Sequence, residues 1–266
     1  MTGSKTLLLQ LVAAMALVLA LTSCASTVRS RIYLPEPMPA EVAWSGRAPD
    51  EVKAATADGL TLRGYYWPPP EAGGDLILFF HGQSGNRYTA ARMAAPLAAG
   101  GGLLVASYRG YGDNPGQPHE AGLYADARAF LSLARTLAPN SRIYVFGFSL
   151  GAAPALHAAA EEEVAGVVIL GAFGRLRDVA PPMARGLLPD RFDNRATIAR
   201  VDEPVLIMHA TADEVAPFAQ AEELRAAARR ARLLRLEGSG HAADFEFLSP
   251  IIWENIHQMP RDGQPR

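Results

Sequence analysis

The chain has 266 residues, 49% of them apolar and 20% charged, which is material for one domain with an ordinary buried core. Its formal charge of −2 excludes the basic field that nucleic-acid binding depends on, and its single cysteine excludes an internal disulfide. The 24 glycines and 20 prolines are scattered, with no repeat or charge block to divide the chain.

Residues 1–24, MTGSKTLLLQLVAAMALVLALTSC, join a cationic start at Lys5 to an uninterrupted apolar stretch from Leu11 to Leu21 and a small-residue end. That is the layout of a secretory signal, and the run is shorter than the roughly 20 apolar residues a bilayer span needs. Leu21-Thr22-Ser23-Cys24 resembles the bacterial lipobox. The resemblance implies that 1–23 is a lipoprotein signal peptide and that a lipidated Cys24 anchors the body to a membrane of the cell envelope, facing the periplasm or exterior. Ala25, where an inner-membrane lipoprotein would carry aspartate, favours the outer membrane. A retained signal anchor is the alternative. Residues 24–49, with Pro35, Pro37 and Pro39 close together, are then the lipidated cysteine and an extended tether ahead of a domain over 50–266.

From Glu51 the pattern alternates between strands and helices. Runs 52–57 and 60–67 flank Asp58-Gly59 and predict a hairpin with a two-residue turn, because Asp-Gly supplies the positive φ angles such a turn needs. Short β-rich runs follow at 76–80 (LILFF), 103–108, 142–146, 164–170, 205–208 and 232–236. Most are continuously apolar, as strands covered on both faces are. Helical patterns lie between them at 88–99, 121–138, 150–160, 218–228 and 245–257; in the second, Leu123, Ala127, Phe130, Leu131, Ala134 and Leu137 form one stripe. The alternation predicts a mainly parallel, doubly wound α/β sheet with an antiparallel amino-terminal hairpin and chemistry beyond the carboxyl ends of its strands. A short insertion at about 173–200 carries an apolar patch, Met183 to Leu188, expected in the core, with a small cap or an interfacial contact as the other reading.

Directly after strand 142–146 stands Gly147-Phe148-Ser149-Leu150-Gly151, ahead of an alanine-rich helix. The glycines suit a turn so sharp that flanking side chains would collide, leaving the serine hydroxyl above the sheet. A serine hydroxyl needs a base, and the base an orienting acid. Of the downstream histidines 157, 209, 241 and 257, only His241 falls on a loop between the last strand and the last helix. The loop after strand 205–208 carries Asp213 and Glu214; Asp213 is preferred, Glu214 is its competitor, and a helix cap before Phe218 is the structural role open to Asp213. Oxyanion donors are expected at the backbone N–H of Leu150 and, in the loop 81–86, at that of Gln83, with His81 orienting the loop. No metal-ligand spacing occurs, so neither a metal nor another cofactor is expected.

Together HGQSGN (81–86), YRGYG (108–112), PGQPHEAGLYADA (115–127), GFSLG (147–151), FDN (192–194) and HATADEVAP (209–217) resemble the α/β-hydrolase superfamily. They are most similar to its Bem46-like serine hydrolases and the α/β-hydrolase-domain 13 and 17 groups. The resemblance spans about residues 50–255. It implies the α/β-hydrolase fold with a short cap, a Ser149, Asp213, His241 triad, and oxyanion donors at Gln83 and Leu150. It also implies hydrolysis of a carboxylic ester or thioester, borne by a small molecule or an acylated protein, through an acyl-enzyme on Ser149. A peptidase or amidase with the same triad, and a catalytically silent membrane-anchored binding protein, are the alternatives. The chain departs from the pattern at Ser107, where aspartate is usual, and at Asp113-Asn114, where a serine is usual.

Overall fold

The computed structural model describes residues 26–260, so the expected signal sequence and Cys24 lie outside the described residues. Eight strands form one sheet in the order β10 (Ala231–Leu236), β9 (Val205–Ala210), β8 (Gly166–Leu170), β7 (Ile143–Phe148), β4 (Leu76–Phe80), β6 (Gly102–Ala106), β3 (Thr61–Trp67), β2 (Asp50–Ala55). The six from β10 to β6 run parallel, and β3 lies antiparallel to both β6 and β2.

Strand β4 shows why the apolar runs are continuous. Side chains alternate between faces, and each face has its own core. Leu76, Leu78 and Phe80 point into one cluster, with Phe130 of α3 (Glu120–Leu137) and Leu156 of α4 (Ala152–Glu161). Ile77 and Phe79 point into the other, with Ala91 of α2 (Arg87–Ala94) and Phe245 and Trp253 of α8 (Phe245–His257). The chain leaves β4 for β6 on one side and later returns to β7 on the other. A crevice at such a reversal, beyond the carboxyl ends, is where this class of sheet binds its ligands.

Three expectations change. The hairpin loop is not a two-residue turn: β2 and β3 close at Ala55 and Thr61, and of Asp58-Gly59 only Gly59 has positive φ, at 88°. Thr56 explains the longer loop, since its backbone N–H donates to Leu60 O at 2.9 Å while its Oγ1 accepts from Leu60 N at 2.9 Å.

The segment expected as an extended tether is instead folded onto the domain. Residues 26–32 are helical (α1), Ile32 and Tyr33 are buried in the first core cluster, and β1 (Leu34–Pro35) pairs in parallel with β5 (Ser84–Gly85). Trp44 further on meets Tyr65, Trp67 and Tyr88 edge to face, with centroids 5.1 to 5.7 Å apart.

Most of the Met183–Leu188 patch is not core, although half-buried Leu188 packs against the first core cluster. Met183 is 88% exposed and Leu187 69% exposed, while Ala184 and Leu188 face a cleft described below. This insertion, with α5 (Leu176–Val179) and α6 (Asn194–Ile198), is too short to bury both sides of the patch.

Candidate active site

The parts of the site arrive from the carboxyl ends of five strands. Ser149 follows β7, the loop 81–86 follows β4, Gly171 follows β8, Asp213 follows β9, and His241 follows β10. Ser149 has φ of 53°, a left-handed conformation that a non-glycine residue adopts only when the surroundings impose it. The surroundings do so through Gly147 and Gly151. A Cβ on Gly151 would stand 2.1 Å from Phe80 O, and one on Gly147 would stand 2.4 Å from Ala152 Cα. The turn is therefore wedged between β4 and the first residue of α4.

His241 Nε2 lies 3.0 Å from Ser149 Oγ, and His241 Nδ1 lies 2.8 Å from Asp213 Oδ2. With Nδ1–H donating to the carboxylate, Nε2 is left to accept the serine proton. Asp213 is buried, and its Oδ1 accepts from the N–H groups of Val215 and Ala216 at 2.9 and 2.8 Å, which fixes its other oxygen toward the imidazole. It caps no helix, because α7 (Ala219–Ala227) begins six residues later. Glu214 has a separate place: its Oε2 accepts from the backbone N–H of His241 at 3.2 Å.

The other candidates fall elsewhere. His157 stacks on Tyr124 with centroids 3.8 Å apart, and His257 sits at the end of α8. His209, which the sequence places at a strand end, is nearer than expected: it donates from Nε2 to Ala216 O at 2.6 Å and lies 3.4 Å from Asp213 Oδ2. It thus packs the carboxylate from behind.

Gln83 and Leu150 line the same cleft as Ser149 and His241. Loop 81–86 approaches the serine closely, since a Cβ on Gly82 would stand 3.6 Å from Ser149 Cβ. The loop is held by carbonyls. His81 Nδ1 donates to Gly82 O at 2.8 Å, in the peptide unit that carries the Gln83 N–H. Tyr108 donates to His81 O at 2.8 Å, and Tyr111 to Gln83 O at 2.6 Å. Burial holds the His81 imidazole down at about 4, so it is neutral at physiological pH, and raises the Tyr108 and Tyr111 hydroxyls above the usual phenol range, so both remain donors.

The YRGYG motif contains Tyr108 and Tyr111, but nothing in its pattern assigns them this task. Gly171 is likewise missed by sequence reasoning; its φ is +62°, and a Cβ there would stand 3.2 Å from His241 Cε1. The departures at 113 and 114 are structural, whereas the buried Ser107 Oγ has no hydrogen-bond partner among the described residues. Asn114 accepts from Arg63 N at 2.8 Å and donates to Ser107 O at 3.0 Å, and Asp113 pairs with Arg87.

The cleft above the serine has a volume of about 630 Å³ and is walled by apolar side chains from α1, the insertion and Phe148. Among the described residues no group of three or more His, Cys, Asp or Glu side chains could hold a metal ion.

The family model for the alpha/beta hydrolase fold matches residues 75–196. An uncharacterized protein of Mycobacterium tuberculosis is 37% identical over 232 residues, covering 81% of each chain. This chain belongs to the α/β-hydrolase superfamily. Among other α/β hydrolases, human alpha/beta hydrolase domain-containing protein 17B is 34% identical over 139 residues, half of this chain and 48% of that one. An esterase of Pyrococcus furiosus shares the fold with a TM-score of 0.70 at 16% identity, covering 86% of this chain and 98% of that one. The match to the family model runs from β4 through the serine turn to α6, and Asp213 and His241 lie beyond it.

Proposed function

We propose that this α/β hydrolase cleaves carboxylic ester or thioester bonds through an acyl-enzyme on Ser149. The observation that carries the reading is the unbroken relay from Asp213 through His241 to a serine held in a left-handed turn. His241 Nε2 takes the Ser149 proton as Oγ bonds to the substrate carbonyl carbon. The oxyanion then meets the backbone N–H groups of Gln83 and Leu150. His241 returns the proton to the departing alkoxide or thiolate, and water repeats the sequence to free the acid. The Asp213 carboxylate stabilises the imidazolium that forms in each half. Substrates are small-molecule or acylated-protein esters.

The test is covalent labelling by a fluorophosphonate probe together with hydrolysis of p-nitrophenyl esters. Both are expected in the wild type and neither in Ser149→Ala. A wild type that is neither labelled nor active would overturn the reading.

The same proposal puts a lipid on Cys24 and the enzyme on an envelope membrane, the outer one in cells that have two, on the strength of Leu21-Thr22-Ser23-Cys24. Metabolic labelling with a tagged fatty acid is expected to mark the wild type and not Cys24→Ser; an unlabelled wild type would remove the lipid from the account.

A further inference from the structure

Helix α1 presents two faces with different tasks. On one, Arg29 and, just past the helix, Tyr33 both reach Asp190 of the insertion: the guanidinium donates from Nε and Nη2 to the two carboxylate oxygens at 3.0 Å each, and the tyrosine hydroxyl donates to Oδ2 at 2.9 Å. Asp190 is buried, so this bidentate pair fixes the rotation of the helix. The other face, carrying Val28, Arg31 and Ile32, is thereby turned into the cleft that holds Ser149 and His241.

That face is graded in depth. Ile32 is buried, Val28 is half-buried, and Arg31 is exposed at the mouth. Among the described residues lining the cleft, Arg31 is the one with a permanent charge, and none carries a carboxylate. Arg29 is locked to Asp190, whereas Arg31, two positions on, has no ion-pair or hydrogen-bonded side-chain partner among the described residues. A guanidinium without a counter-ion at the rim of an apolar trough matches a molecule with a hydrocarbon chain and a negative polar end.

We infer that α1 is a substrate-binding wall and that the cleft takes an acyl ester whose polar end is anionic, with the chain against Val28 and Ile32 and the anion on Arg31. The inference rests on the hydrolase reading and narrows its substrate class. It gives the segment ahead of the domain a part in specificity.

The experiment compares two esters with one acyl chain, 1-dodecanoylglycerol and 1-dodecanoylglycerol 3-phosphate, both below their micellar concentrations, in wild type, Arg31→Gln and Arg31→Glu. The expected kcat/KM ratio favours the phosphate by about tenfold or more in the wild type, a magnitude typical of a charge-assisted contact. It falls toward one in Arg31→Gln and below one in Arg31→Glu, with melting temperatures unchanged. A wild type without preference, or an Arg31→Gln that loses both esters equally, would overturn the inference. So would hydrolysis of neither ester while fluorophosphonate labelling of Ser149 persists. Loss of labelling as well would instead bring down the hydrolase reading itself.

Discussion

The Tyr111 hydroxyl donates to the carbonyl of Gln83 across 2.6 Å, and the N–H of Leu34 donates to the same oxygen at 2.8 Å. His81 holds the preceding carbonyl, that of Gly82. Both peptide units flanking the Gln83 Cα are therefore pinned, and the direction of its N–H is set before any substrate arrives.

Tyr111→Phe removes one of these pins at little cost in volume. The Leu34 bond remains, so stability should fall by only about 1 kcal/mol. The expected effect is on turnover: kcat on p-nitrophenyl butyrate drops roughly tenfold with KM little changed, because the loosened donor meets charge that develops only in the transition state. A change confined to KM would show that this bond positions substrate instead.

Asp213 and Glu214 are neighbours in sequence with separable tasks. Asp213→Asn should reduce kcat by about ten-thousandfold, the scale seen when such an acid loses its charge and the imidazole takes the wrong tautomer. Glu214→Gln keeps an acceptor for the His241 backbone N–H and should cost less than about tenfold. Equal losses in steady-state kinetics would reverse the assignment.

Much of this arrangement was legible in the sequence, for identifiable reasons. β4 and α8 match their expected limits, because LILFF is apolar without a break and residues 245–257 keep a helical period around Pro250. Ser149, Asp213 and His241 could be placed because each follows a strand whose end the pattern marks. What could not be read depended on contacts between distant segments. The pairing of Leu34–Pro35 with Ser84–Gly85 is a ladder of two residues with no periodic signature. The choice of Asp213 over Glu214 turns on two backbone N–H groups, from Val215 and Ala216, that close on one carboxylate. Met183 and Leu187 are hydrophobic by composition, and only the shortness of the insertion leaves them uncovered.

Gly151→Ala tests the wedge around the serine. Its added methyl would meet Phe80 O at 2.1 Å, a backbone atom of the central strand that cannot swing aside. The expected loss is about 3 kcal/mol or more, beyond the usual cost of overpacking, read as a fall in the melting temperature together with loss of fluorophosphonate labelling. A stable, fully labelled variant would mean that the turn can relax.

The neutral His81 predicts a pH effect of definite sign. Its folded-state value of about 4 is below the unfolded value near 6.5, so the unfolded chain binds the proton more readily. Stability from this site is fully present above about pH 6.5 and declines as pH falls toward 4, by roughly 3 kcal/mol in all. His81→Asn, which keeps a donor for Gly82 O, should show a shallower loss across that window in chemical denaturation. Parallel curves for the two proteins would rule out His81 as the source.

The two-residue ladder between β1 and β5 puts the leading end of the chain mechanically in series with the loop that carries the Gln83 N–H. A pull on Ser26 is borne first by the Arg29 clamp on Asp190 and only then by Leu34 and Glu36, which grip the carbonyls of Gln83 and Gly85. A recombinant form trimmed to begin at the first strand of the large sheet would retain every residue of the relay and still lack its splint, so shortened versions of this enzyme should start no later than Ser26.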